Sequence, residues 1–188
     1  MSKEYQDFLK SKIIKQSFNG KDIDPGQINK LLFDFQRDVT TWAIKKGKAA
    51  VFLNTGLGKT FIQLEWARLL GEKTLIIAPL SVARQTVREA KKIDLEINYV
   101  RTQDETSGSI SITNYEMIDN FDFGKFGAVV LDESSILKAI GGQTKRKLIK
   151  LCQNVPYKLS CTATPAPNDY IELGNQVEWL QAEGVVPW

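Results

Sequence analysis

The sequence has no histidine and only two cysteines, Cys152 and Cys161. That leaves no donor set for a zinc or haem centre and no disulfide framework, so metal and disulfide scaffolds are excluded as the basis of the fold. Reduced thiols fit a cytoplasmic location. Long apolar runs are also missing. Nowhere do about 18 apolar residues follow one another, and the polar start from Met1 to Lys12 lacks the apolar stretch of a secretory signal, so no membrane partner is expected. Internal repeats and low-complexity tracts are absent as well. A strong excess of either charge is missing too. The 25 basic and 22 acidic residues leave a net charge of +3, which permits contact with a phosphate backbone without demanding it.

What is present is enough apolar material for one core: 43% of 188 residues. Tyr5, Phe8, Leu9, Ile13 and Ile14 recur at helical spacing up to Gln16. Asn19-Gly20 and Asp24-Pro25-Gly26 then break the pattern, so residues 1–30 are read as a helical extension and 31–188 as the main domain. Within the main domain, helical stretches are expected at Gln36–Lys46, Phe61–Leu70, Ser81–Lys92, Thr144–Leu151 and Asp169–Leu180. Short apolar strands are expected at Ala49–Leu53, Thr74–Ala78, Ile97–Val100, Ser109–Thr113, Ala128–Leu131 and Tyr157–Ser160. This alternation predicts an α/β fold of three layers, a mostly parallel sheet covered on both faces. Chemistry is then to be sought in the loops after the strands.

The first such loop reads Asn54-Thr55-Gly56-Leu57-Gly58-Lys59-Thr60, between an apolar run and a helix. A phosphate chain needs a turn whose N–H groups point inward, and the two glycines let the backbone approach the anion. The following helix adds its positive end; Lys59 can reach the β- and γ-phosphates, and the Thr60 hydroxyl can ligate Mg2+. Leu53 stands where the longer form of this pattern has a glycine. A second apolar run ends in Asp132-Glu133-Ser134-Ser135. A parallel sheet would bring these carboxylates to the same edge, with Asp132 placed for the hydrated Mg2+ and Glu133 for orienting and deprotonating a water. The cofactors expected from these residues are ATP and Mg2+.

Asn54–Thr60, Asp132–Ser135 and the segment Cys161-Thr162-Ala163-Thr164-Pro165-Ala166-Pro167-Asn168-Asp169 together resemble motifs one, two and three of superfamily-two helicases, in the Swi/Snf-like flavour that phages also carry. Phe35-Gln36-Arg37 looks like the family's glutamine motif, in which Gln36 would recognise adenine. Ala78-Pro79-Leu80-Ser81 is similar to motif Ia and Ile112-Thr113-Asn114-Tyr115-Glu116 to motif Ib, which implies nucleic-acid contacts for Pro79, Ser81, Thr113 and Tyr115. Thr162, Ala163 and Thr164 would couple phosphate state to grip on the strand. Taken without the resemblance, Gln36 reads equally as a helix-start residue, Ser81 as an N-cap, and Thr113 and Tyr115 as the close of a strand. Trp42, Trp66, Trp179 and Trp188 read as core or interface residues, and Lys45, Lys46 and Lys48 as a solvated face.

The resemblance implies a RecA-like P-loop NTPase lobe acting on DNA or RNA. It also implies a second RecA-like lobe, in trans or in a downstream segment, that supplies arginine to the ATP. The chain reaches Trp188 soon after the third motif. Binding with feeble hydrolysis is therefore expected of it alone, and a nucleotide-binding module without motor activity is the competing expectation.

Overall fold

Every residue of Thr74–Ala78 and of Ala128–Asp132 is buried, which requires a strand covered on both faces. In the computed structural model, which describes residues 5, 18–138 and 142–182, these runs are central strands. The element order is α1 (Asp34–Lys46), β1 (Lys48–Phe52), α2 (Lys59–Leu70), β2 (Thr74–Ala78), α3 (Leu80–Ala90), β3 (Asn98–Tyr99), β4 (Ile110–Asn114), β5 (Ala128–Asp132), α4 (Gln143–Leu151), β6 (Tyr157–Thr162) and α5 (Glu172–Leu180). The six strands form one sheet in the order β1-β6-β5-β2-β4-β3, with every pair parallel. This is a RecA-like α/β domain.

Side-chain alternation splits the core into two layers. Ile76 and Ala78 of β2 pack with Val130, Ile112, Leu64, Trp66 and Ala83 on one face. Leu75 and Ile77 pack with Val129, Leu131, Leu148 and Trp179 on the other. Trp66 and Trp179 are fully buried on opposite faces, whereas Trp42 is partly exposed. Trp188 lies outside the described residues.

Boundaries shift where local hydrogen bonding overrides periodicity. Strand β6 runs on to Thr162 because Cys161 and Thr162 pair with Val51 and Phe52. Helix α5 starts at Glu172 rather than Asp169, since the Asp169 carboxylate and carbonyl accept the Ile171 and Glu172 N–H groups in a turn (2.9 and 3.0 Å). Helix α3 starts at Leu80 with Pro79 before it, so Ser81 is a second helical residue and caps nothing. The helix expected between Tyr5 and Gln16 lies, Tyr5 apart, outside the described residues.

From Phe18 the chain is docked on the domain. Ile28 and Leu32 are buried, and the buried Glu65 carboxylate of α2 accepts the Asn29 N–H at 2.7 Å. Arg68 binds the same carboxylate at 2.6 Å and donates to the Gln27 carbonyl at 2.7 Å. Glu65 is thus a buried charge satisfied from two directions.

Lys158 is the unexpected buried charge. It sits on β6 with no exposed surface, donating to the Trp179 carbonyl (2.9 Å) and to Gln181 Oε1 (3.0 Å), near the Trp179 ring. Burial is the main cause that pulls its pKa down from 10.5 to about 8. Below about pH 8 the lysine is charged in both folded and unfolded chains, and the full desolvation penalty is present. Between about 8 and 10.5 the folded chain holds fewer protons, so stability rises with pH. Denaturation of the wild type and of Lys158→Met across this range is expected to show the wild type gaining up to about 3 kcal/mol relative to the variant. A gap independent of pH would contradict the assignment.

Candidate active site

Strands β1, β6 and β5 are neighbours and end at one edge. Phe52 lies level with Thr162, and Cys161 level with Asp132. The Leu53 N–H continues the pairing to the Thr162 carbonyl at 3.2 Å. The glycine loop, the acidic pair and the Thr162–Thr164 segment are therefore side by side.

The loop from Asn54 to Leu57 is exposed. Gly56 and Gly58 have φ of 86° and 75°, backbone that a side chain would strain. No heavy atom lies within 4 Å of where a Gly56 side chain would begin, so that side of the loop is open. At Gly58 a side chain would also strike the Gln36 amide. Gly58 is the N-cap of α2, whose first residues are Lys59 and Thr60. The Lys59 ammonium donates to the Leu53 and Asn54 carbonyls at 2.9 and 3.3 Å, folding back over its own loop.

The Gln36 amide is engaged within the protein. Its Oε1 accepts the Phe33 N–H at 2.9 Å, and its Nε2 donates to the Leu57 carbonyl at 3.1 Å. With 4% of its surface exposed, both ends of the amide are engaged within the protein, and it braces the start of α1 against the glycine loop. Phe33 and Phe35 flank it as exposed, stacked rings 6.4 Å apart.

Asp132 ends β5 and is 4% exposed. Its Oδ2 accepts from Gln63 Nε2 at 3.0 Å and its Oδ1 from the Glu133 N–H at 3.1 Å. Burial raises its pKa above the ordinary carboxylate value, the Gln63 hydrogen bond opposes this, and the Glu133 charge adds to it. Such a carboxylate is short of positive charge. Glu133 has a left-handed backbone (φ 53°) that turns the chain sharply. Its Oε2 lies 3.5 Å from the Thr162 hydroxyl, which also accepts the Thr164 N–H at 3.1 Å. The acidic pair thereby touches the helix that follows the glycine loop and the last residue of β6.

The four residues expected at a nucleic acid are not gathered in one way. Pro79 is half-buried and Ser81 exposed at the start of α3, after the buried β2. The Thr113 side chain is fully buried. The Tyr115 hydroxyl donates to the Asp132 carbonyl at 2.7 Å, which makes it a strut beneath the acidic turn. Burial pushes the Tyr115 and Cys161 pKa values well up, with Asp132 adding to both.

Gln63 is the functional side chain that sequence reasoning missed. It stands four residues after Lys59, on the same side of α2, and that spacing is the signal that could have found it. Its link to Asp132 depends on a strand 69 residues away in the chain, which only the fold reveals.

No family model matches the chain. It is 25% identical over 193 residues to the Bos taurus DNA annealing helicase and endonuclease ZRANB3, a match covering 92% of this chain and 18% of that protein. The chain thus spans less than a fifth of that relative's length. Its fold superimposes on the Sulfolobus solfataricus SWI2/SNF2 ATPase core in complex with dsDNA with a TM-score of 0.71, at 20% identity, over 85% of this chain and 37% of that one. The UvsW helicase from bacteriophage T4 gives a TM-score of 0.64 at 19% identity, over 94% and 65%.

A carboxylate whose pKa is raised by folding contributes stability at low pH that is lost as pH rises through its folded value. Asp132→Asn is therefore expected to raise the melting temperature at pH 7, with the gain shrinking towards the ordinary carboxylate range. A variant that melts lower at pH 7 would contradict this account of Asp132.

Proposed function

We propose that the chain is a superfamily-two helicase-like domain, the ATP- and Mg2+-binding lobe of a nucleic-acid-dependent ATPase, a reading supported by its RecA-like fold and its relatives. The observation that carries this reading is the convergence of Lys59, Asp132 and Glu133 on one sheet edge, after strands β1 and β5, which flank β6. The residues fit the ligands. The loop is open beside Gly56, its cation is held by carbonyls that a phosphate would replace, and Asp132 is a buried carboxylate lacking positive charge.

In this reading Asn54–Gly58 offer backbone N–H groups to the phosphates and Lys59 binds the β- and γ-phosphate oxygens. Thr60 and Asp132 hold Mg2+, whose chemistry is to neutralise charge on those oxygens. Glu133 orients the attacking water and accepts its proton, with Thr162 holding the carboxylate. Thr162, Ala163 and Thr164 carry the state of the site towards bound DNA or RNA, and Pro79 and Ser81 contact its backbone. The stacked Phe33 and Phe35 rings offer a flat apolar surface for the base, in place of the Gln36 amide.

A second RecA-like lobe completes the site with arginine. Support for a covering partner comes from apolar side chains left in solvent on the glycine loop and on the segment after Thr164: Leu57, Ile171 and Tyr170, the last 87% exposed.

Lys59→Ala is expected to weaken Mg-ATP binding roughly 10- to 100-fold, the worth of hydrogen bonds to a charged group. Glu133→Gln should bind ATP like the wild type and lose hydrolysis by about 100-fold or more. Binding and turnover measured with and without single- and double-stranded DNA and RNA test both. Equal loss of binding in the two variants would overturn the assigned roles, and binding with no nucleic-acid-stimulated turnover would leave a nucleotide-binding module.

A further inference from the structure

The turn Ser134–Lys138 that follows the acidic pair is a 3-10 helix too short to satisfy its own carbonyls. Helix α5 satisfies them with two consecutive amides. Gln176 Nε2 donates to the Ser134 carbonyl at 2.9 Å, and Asn175 Nδ2 donates to the Leu137 and Lys138 carbonyls at 2.9 and 3.0 Å. The other ends are engaged too. Asn175 Oδ1 accepts from the Lys145 ammonium at 2.8 Å, and Gln176 Oε1 accepts from the Ser160 hydroxyl at 2.6 Å. Ser160 and Ser134 share a hydrogen bond of 2.8 Å between their hydroxyls.

The protons of this cluster have one consistent arrangement. Ser160 gives its proton to Gln176, so Ser134 gives its own to Ser160, and the Gln176 amide returns to the Ser134 carbonyl. The result is a closed ring in which each hydroxyl donates once. Ser134 and Ser160 are wholly buried and Gln176 is buried with them, where such bonds reinforce one another. The ring joins Ser134, directly after Asp132-Glu133, to Ser160, two residues before Thr162, through a helix that belongs to neither strand. At its other end α5 grips the segment leaving Thr164: the Glu172 carboxylate accepts the Asn168 N–H and side-chain amide at 3.3 and 2.8 Å.

We propose that Gln176, supported by Asn175, is a positioning residue that sets the acidic turn from helix α5, so that displacement of the 163–171 segment is passed through α5 to Asp132 and Glu133. The inference rests on the nucleotide-binding reading above for its functional consequence. Its mechanical part stands on the hydrogen bonds alone. A helix that merely fills the core would support Mg2+-dependent and Mg2+-independent affinity alike, whereas one that aims Asp132 acts on the metal-dependent part.

The test is Gln176→Met, which keeps the shape and removes both hydrogen bonds, with Ser160→Ala as the milder opening of the ring should the first variant fail to fold. ATP affinity is measured with Mg2+ and with EDTA, and amide hydrogen exchange is followed without nucleotide. The expected result is an affinity unchanged within about twofold in EDTA, with the gain from Mg2+ reduced about tenfold, the effect of losing one well-made hydrogen bond. Exchange in 134–138 should quicken about tenfold or more while β2 is unchanged. Parallel loss of both affinities, or loss of neither, overturns the proposal. If the wild type binds no ATP, the nucleotide reading falls by itself. Exchange then decides the clamp: quickening confined to 134–138 sustains it, and unchanged exchange overturns it.

Discussion

The structure depends on burying a parallel sheet on both faces. With helices over each side, the strands of the centre meet water only at their ends, and parallel pairing puts all their carboxyl ends on one edge. Polar chemistry has nowhere else to go in such a layer. The glycine loop, the acidic pair and the Thr162–Thr164 segment are neighbours because β1, β6 and β5 are neighbours.

That constraint also explains why buried polar groups concentrate beneath the edge. Asp132, Gln63, Ser134, Ser160, Gln176 and Asn175 are all withdrawn from solvent, and each has a hydrogen-bond partner within the chain. Asp132 receives two neutral donors and no full counter-charge in contact, which suits the cation-binding part proposed for it. The Lys59 ammonium is held by carbonyls rather than by a carboxylate. Lys158, at the other end of β6, is buried with no acidic partner among its hydrogen bonds, and burial answers by shifting its proton affinity.

Much of the fold was legible before the structure. Thr74–Ala78 was read to its last residue, and the other strands to within a few residues, because a strand buried on both faces is a short apolar run that little else resembles. Helix ends were harder. Asp169 belongs to a turn because its carboxylate and carbonyl accept N–H groups that periodicity does not count, and Ser81 is the second residue of its helix, after Leu80. The burial of Thr113 and the bond from Tyr115 to Asp132 were not legible for a related reason: a motif names residue types, while the direction of a side chain at the end of a strand is decided by the sheet's pleat.

The sequence by itself determined the alternation of strands and helices, the glycine loop at the head of a helix and the acidic pair at the end of a strand, since these are local matters of periodicity and turn chemistry. Only the tertiary structure decided which strands lie side by side, and with them the partners of each polar group. Gln63 meets Asp132, Gln36 braces the glycine loop, and Gln176 joins Ser134 to Ser160 across separations of 69, 21, 42 and 16 residues. A hydrogen bond reaches about 3 Å whatever the distance along the chain, so such pairs leave no spacing to read.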